Sequence, residues 1–248
     1  MGCDVHMWAE VRRAGVWEKI GDVFPNAYAD ADAERRDIEW HNKWLAEHPD
    51  EDDEEYRDPN WKSFHRRLVD HPYDQRNYAL YSILADVRNG YGFAGVFTGM
   101  GFTPIAPPRG VPEDASPEYR AEVAAWGGDG HSHSWLTLKE LQAYDWHKTT
   151  QRCGVIPAEA YETLKGTNRR PTDWSGSITG PGIVTLEENE YALMKESGSV
   201  ATVARPYVRY WWQETYAECA GEFVEQVIPE LAKLGAPDDV RIVFFFDN

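Results

Sequence analysis

The stretch CDVHMWAEVRR, residues 3–13, decides the fold predicted for this chain. Apolar and polar side chains alternate along it, with Val5, Met7, Ala9 and Val11 on one face and Asp4, His6, Trp8 and Glu10 on the other. A period of two predicts a β-strand with one face in the core. Ala14 and Gly15 suit a turn into residues 16–20, so an N-terminal hairpin is expected.

A second strand is predicted near the other end of the sequence, where residues 240–246 read VRIVFFF. A run that is apolar on both faces is typical of a central strand covered on two sides. Helix-starting signals lie between the two strands, at Ser116-Pro117 and in the capping box of Thr137 and Glu140. We therefore predict an α+β protein whose small antiparallel or mixed sheet includes both terminal strands and is packed by several helices.

Residues 208–231 carry apolar side chains at helical spacing, among them Trp211 and Trp212. This spacing predicts a long helix that Pro229 kinks or divides. Tryptophans at such positions more often belong to a core than to a surface that stacks on ligands.

The composition is that of a folded chain. It has 248 residues, of which 42% are hydrophobic and 13% aromatic, whereas disordered chains lack the apolar surface that offsets ordering entropy. The length lies near the upper end for one domain, and neither a repeat nor a linker divides the sequence. A single domain over residues 1–248 is expected.

The net charge of −17 restricts the partners. It repels phosphate backbones and anionic lipids, which argues against duplex nucleic acid and against a membrane surface. Part of the acidity is local, in a segment of about residues 29–58 that contains the acidic run 50–55. Such a run usually forms a solvated surface, and the alternative is a decoy surface that mimics nucleic acid towards a basic protein.

The strongest local motif is DGHSHS, residues 129–134. If it is extended, Asp129, His131 and His133 share one face and could bind Zn, Mn or Fe. A polar loop whose histidines bond to backbone is an equally good interpretation. The motif resembles the DxHxHS signature of the polymerase-and-histidinol-phosphatase metallohydrolases and the HxH of amidohydrolases. Those families need several further histidines downstream, and here only His147 follows.

Asp4 and His6 form a second polar cluster on one strand face. Taken alone it fits a solvated sheet face, but with residues 129–134 it predicts a joint site in which Asp4 or His6 completes a metal shell or acts as general base. Arg88 and Arg109 are the predicted contacts for a phosphate.

Residues 90–95 read GYGFAG, a literal GxGxxG. No strand precedes it, so the dinucleotide-binding fold is rejected. The Gly/Pro-rich stretch of about 90–112 is instead predicted to be a functional loop, with Tyr91, Phe93 and Trp135 as ligand contacts. The alternative is an irregular turn buried by its own aromatic side chains.

Several short motifs together resemble a family of bacteriophage and actinobacterial proteins. They are the opening Met-Gly-Cys-Asp-Val-His, residues 77–78 and 86–90, Pro108-Arg109-Gly110, residues 129–136, and residues 239–248 with their Phe-rich strand and final Asp-Asn. The resemblance implies nucleotide metabolism or interference with host defence. With three widely spaced cysteines and no signal or membrane-spanning segment, a cytoplasmic location is expected, in the host cell if the protein is phage-encoded.

Three functions follow from these observations. The first is a metal-assisted hydrolase of a small phosphorylated or nucleotide-like substrate. The second is a non-catalytic binder that sequesters a signalling nucleotide with the same polar groups. The third is the acidic decoy for a protein partner. The oligomeric state does not follow from the sequence.

Overall fold

Both terminal strands lie in one sheet of the computed structural model, which describes residues 2–50, 53–59 and 61–247. The strands are β1 (Val5–Arg13), β2 (Val16–Lys19), β3 (Phe24–Pro25), β4 (Leu68–Val69), β5 (His131–Thr137), β6 (Thr149–Pro157), β7 (Ile183–Leu186), β8 (Arg205–Thr215) and β9 (Val240–Phe246). The first sheet is antiparallel with the order β2-β1-β9-β5. The second has the order β6-β8-β7, and β3 pairs with β4. The predicted α+β fold is confirmed.

The helices cover the sheets and the segments between them. They are α1 (Ala31–Glu47), α2 (Glu54–Arg57), α3 (Tyr78–Ala85), α4 (Pro117–Trp126), α5 (Leu138–Ala143), α6 (Ala158–Leu164), α7 (Glu188–Glu196), α8 (Tyr216–Ala220) and α9 (Ile228–Ala232). The signals at Ser116 and Thr137 do cap α4 and α5. Within the described residues, no helix combines the length and the apolar character needed to cross a membrane.

Strand β9 is buried along its whole length, as predicted for a central strand. Phe244 and Phe246 point into the main core, while Val243 and Phe245 pack on the opposite face against a smaller cluster around α4. Full burial of one such side chain contributes about 1.5–3 kcal/mol. The C-terminal strand therefore joins two apolar layers.

The predicted long helix over residues 208–231 is wrong, because its first part is strand β8. Along β8, Val208, Tyr210 and Trp212 are buried and alternate with more exposed neighbours. Aromatic and β-branched residues favour strands, and a dense apolar run satisfies both the helical and the alternating pattern. Helical structure starts only at α8, and a π-helical turn, Phe223–Val227, separates α8 from α9 and its Pro229.

The Gly-rich loop of residues 90–101 is anchored on strand β6. The N–H of Met100 donates to the carbonyl of Gln151 at 2.7 Å, and that of Cys153 donates to Thr98 at 3.0 Å. Gly99 makes this approach feasible, since a Cβ there would lie 2.4 Å from the oxygen of Gln151 and its φ is +134°. Only glycine combines that conformation with so close a backbone.

The acidic segment of about 29–58 is largely helix α1, whose N-cap is Asp30. The side chains of α1 are exposed or half-buried apart from Ala33, which agrees with the predicted solvated surface. Part of the acidic run 50–55 lies outside the described residues, namely Glu51 and Asp52.

Candidate functional site

One end of the first sheet gathers several of the polar residues singled out in the sequence. The N–H of Asp4 donates to Oδ1 of Asp247 at 2.8 Å, and Nε2 of His6 lies 3.2 Å from Oδ2 of the same carboxylate. The pairing of the two terminal strands therefore brings Asp4 and His6 next to Asp247. Asn248 lies outside the described residues.

A β-bulge separates the two histidines of the HxH motif. His131 pairs with Phe246 and Ser134 pairs with Phe244, so three steps on β5 match two on β9. The extra residue is Ser132, at φ 52°. One added residue reverses the alternation of side chains. His131 therefore lies on the face of Phe246, whereas His133 lies on the opposite face.

The predicted metal ligands do not come together. The ring of His133 contacts that of Phe245 at 5.1 Å, while the ring of His131 lies 6.1 Å from that of Phe246, across the sheet. Asp129 is exposed on the turn after α4. Among the residues that the structure describes, no three His, Cys, Asp or Glu side chains form a metal-binding group. Asp129, His131 and His133 thus do not fit one Zn, Mn or Fe ion in this arrangement.

His133 and His6 are packed against Phe245 from two sides. Their ring centroids lie 5.1 Å and 4.9 Å from that of Phe245, and Trp126 covers His6 at 4.2 Å. Burial, and then the neighbouring His131, lower the pKa of the His133 imidazole. Its buried Nδ1 has no hydrogen-bond partner within the described part of the chain. His133 is therefore a neutral packing residue.

Asp4 and Arg109 are engaged in other contacts. Arg76 holds the carboxylate of Asp4 with both Nε, at 2.7 Å, and Nη2, and this hydrogen bonding lowers the pKa of Asp4. A carboxylate of low pKa is a weak general base. Arg109 stacks on Trp135 at 4.8 Å and pairs with Glu140 at 3.1 Å. Through these contacts, the segment around Arg109 is held against β5 and α5.

Arg88 and His131 do share a cleft, of about 480 Å³. Asp86, Arg88 and Ser132, which all line it, have positive φ angles although none is glycine. Such strain often accumulates at functional sites. The guanidinium of Arg88 lies over the ring of Tyr78 at 5.4 Å, and Nδ1 of His131 lies 3.0 Å from the hydroxyl of Ser132.

A larger cleft, of about 600 Å³, lies between the start of α3, the Gly-rich loop and the second sheet. We call it the arginine cleft. Its lining residues are Tyr73, Gln75, Arg76, Asn77, Tyr78, Ala79, Gly92, Phe93, Val96, Thr98, Arg152, Arg170, Trp174, Ser175, Gly176, Ser177, Glu214 and Cys219. Phe93 is thus a predicted ligand contact that does reach a cleft. Tyr91 instead packs on Phe97 at 5.9 Å, and Trp135 is held by Arg109.

Two arginines of the arginine cleft share one carboxylate. Glu214 lies 3.1 Å from Nη1 of Arg170 and 3.9 Å from Nε of Arg152. Arg152 and Glu214 are 8% and 6% exposed, and the guanidinium of Arg152 lies over Phe102 at 5.5 Å. A positive charge therefore remains uncompensated within this trio.

Glycine also builds the aromatic wall of the cleft. A Cβ on Gly154 would lie 2.5 Å from the ring of Trp174, so the absent side chain lets the indole lie on β6. Ser175 continues this contact by pairing with Val155 through hydrogen bonds of 2.7 and 3.1 Å. Phe93 of the Gly-rich loop also lines the cleft and is largely exposed. The two aromatic side chains border a space open to a ligand.

Helix α3 begins at the arginine cleft. Its N-cap Asn77 accepts from the N–H of Leu80, and Asn77, Tyr78 and Ala79 line the cleft. The unpaired N–H groups and the dipole of a helix N-terminus favour anions. The start of α3 therefore adds to the positive potential of the arginines.

Cys219 lines the same cleft but is not a nucleophile. Burial, and then the charge of Glu214, raise the pKa of this thiol to about 12. The reactive species of a cysteine is the thiolate. At neutral pH the side chain is a neutral thiol, and its sulfur lies 3.6 Å from Oε2 of Glu214.

Comparisons of this chain with protein families, curated proteins and solved structures give no match.

The sequence did not single out the cleft, since its charged residues are spread over 139 positions, from Arg76 to Glu214. One local signal was available. Residues 169–174 read RRPTDW, a basic and aromatic segment in a strongly acidic chain.

Proposed function

We propose that this protein binds a small phosphorylated, nucleotide-like ligand in the arginine cleft. The observation that carries the proposal is a local reversal of charge. The chain has a net charge of −17, yet the charged residues that line the arginine cleft are Arg152, Arg170, Glu214 and Arg76, of which Arg76 is paired with Asp4. A positive cleft in an acidic protein concentrates anions against the overall field.

The size and the aromatic lining narrow the ligand class. About 600 Å³ lies within the range of cofactor and nucleotide pockets, which is about 300–1,000 Å³. Trp174 and Phe93 offer faces on which a planar base stacks. The start of α3 and Arg170 offer donors to phosphate oxygens.

Binding without turnover has more support than metal-assisted hydrolysis. Glu214, the carboxylate among the lining residues, is already engaged by two arginines. The predicted ligands His131 and His133 lie on opposite faces of the other sheet. This arrangement favours a protein that sequesters a nucleotide over a hydrolase. The proposed binding in the arginine cleft does not involve the acidic segment of the decoy hypothesis.

A calorimetric titration with adenosine, adenosine monophosphate and inorganic phosphate tests the proposal. We expect the monophosphate to bind at least about tenfold more tightly than the nucleoside, because hydrogen bonds to charged groups contribute about 1.5–3 kcal/mol each. Its affinity should fall as salt rises. Equal affinity for nucleoside and nucleotide, or no binding by either, would refute the proposal.

A further inference from the structure

A second cavity, of about 300 Å³, lies beside the arginine cleft and has the opposite charge. It is enclosed by the β3 and β4 region, residues 71–75, and the π-helical turn with α9. The lining residues are Phe24, Pro25, Asn26, Ala27, Tyr28, Val69, His71, Pro72, Tyr73, Asp74, Gln75, Glu222, Glu225, Gln226, Val227, Pro229 and Glu230. Tyr73 and Gln75 border both cavities.

Part of the lining of this cavity is apolar. Phe24, Val69, Tyr73 and Val227 are all buried, and Tyr28 stands at the edge with half of its surface exposed. Apolar walls bind a hydrocarbon or aromatic group by removing it from water. Aromatic rings in addition attract an organic cation through their faces.

Carboxylates surround the mouth. The charged lining residues are His71, Asp74, Glu222, Glu225 and Glu230. The single basic side chain among them is already paired, since His71 lies 3.3 Å from Asp70 and 3.3 Å from Asp74. Burial opposes the charged imidazole, but these two partners raise the pKa of His71 to about 9.

The glutamates on the helical wall differ in their contacts. Glu230 pairs with Lys233 at 2.5 Å, and Glu222 accepts a hydrogen bond from Gln75. Among the residues that the structure describes, Glu222 has no basic partner. Glu225 is exposed and lies in the π-helical turn. π-Helical turns occur frequently at functional sites. The mouth therefore carries surplus negative charge above an apolar floor.

We infer that this cavity binds an amphipathic organic amine, whose apolar body occupies the floor and whose ammonium group meets Glu222 and Glu225 at the mouth. Such a ligand complements both the apolar lining and the carboxylates. An anion would be repelled by the carboxylates, and a fully polar cation would not complement the apolar lining. The inference does not depend on the arginine cleft, which selects the opposite charge.

Three probes of similar shape and different charge test this inference: phenethylamine, 3-phenylpropan-1-ol and 3-phenylpropionate. They are titrated into the full-length protein and followed by amide chemical shifts. We expect the amine to bind about tenfold more tightly than the alcohol and the carboxylate to bind most weakly. The shifts should concentrate in residues 24–28, 71–75 and 222–230. Equal affinities, no binding, or shifts elsewhere would overturn the inference.

A pair of variants separates the local carboxylates from the net charge. Glu225→Gln should weaken amine binding about two- to fivefold, the range of an exposed ion pair. Glu196→Gln, a matched change at an exposed position of α7, should leave amine binding unchanged. Equal weakening in both variants would show that only the overall charge matters. Nucleotide binding should be unaffected in either variant, so the two proposals fail separately.

Discussion

Replacing Glu10 by alanine should lower the free energy of unfolding by about 3–5 kcal/mol, the usual cost of removing one partner of a buried ion pair. Glu10 and Arg241 are 0% and 2% exposed, and their charged atoms lie 2.7 Å apart. The second carboxylate oxygen of Glu10 accepts from the N–H of Ser116. Without Glu10, the guanidinium of Arg241 stays buried beside the rings of Trp17 and Trp135, and its positive charge loses its buried carboxylate partner. Urea unfolding of both proteins measures the difference.

Asp114→Asn is the control for this prediction. Asp114 contacts the same guanidinium at 2.8 Å, but its side chain is 65% exposed. Exposed ion pairs contribute about 0–1 kcal/mol, so this variant should unfold close to the wild type. If the two variants lose equal stability, the burial of Glu10 is not the cause.

Gly99→Ala is expected to cost about 3 kcal/mol or more, since it adds backbone strain to a steric clash. The new Cβ would lie 2.4 Å from the carbonyl oxygen of Gln151 and 2.6 Å from Cα of Arg152. The Gly-rich loop would have to leave β6. Because this loop carries Phe93 to the arginine cleft, nucleotide affinity should fall as well, which calorimetry at a temperature below the unfolding transition measures.

Gly95→Ala is the matched change within the same loop. Gly95 also has a positive φ, of 74°, but a Cβ there meets no atom of the described residues within 4 Å. Its cost should therefore be limited to backbone strain, about 1 kcal/mol. A Gly99→Ala protein as stable as Gly95→Ala would mean that the loop is not seated on β6.

The terminal strands could be predicted from the sequence because their patterns are local. Apolar and polar side chains alternate along β1, and six of the seven residues of β9 are apolar. Strand β8 could not be predicted in the same way, since its aromatic residues satisfy a helical period as well. Pairing with β6 along nine residues decides in favour of the strand.

One residue accounts for the separation of the predicted metal ligands His131 and His133 in this structure. The HxH spacing places two histidines on one face only if the strand is regular. Ser132 adopts a left-handed conformation that is rare outside glycine, and the resulting bulge moves His131 to the other face. A serine between two histidines does not predict a left-handed backbone conformation from the sequence.

The arginine cleft depends on contacts between distant segments. Arg152 comes from β6, Glu214 from β8, and Arg170 and Trp174 from the connection after α6. No spacing rule joins these positions. Gly154 leaves room for Trp174, and Gly99 lets the Gly-rich loop approach β6. These roles follow from neighbours that the sequence does not identify.

The most direct test of the central claim is a calorimetric titration of Arg170→Ala and Arg169→Ala with adenosine monophosphate. Both arginines are exposed and adjacent in sequence, but only Arg170 lines the cleft. The account predicts about tenfold weaker binding for Arg170→Ala, equivalent to about 1.4 kcal/mol, and wild-type binding for Arg169→Ala. Equal affinities in the two variants would contradict binding in the arginine cleft.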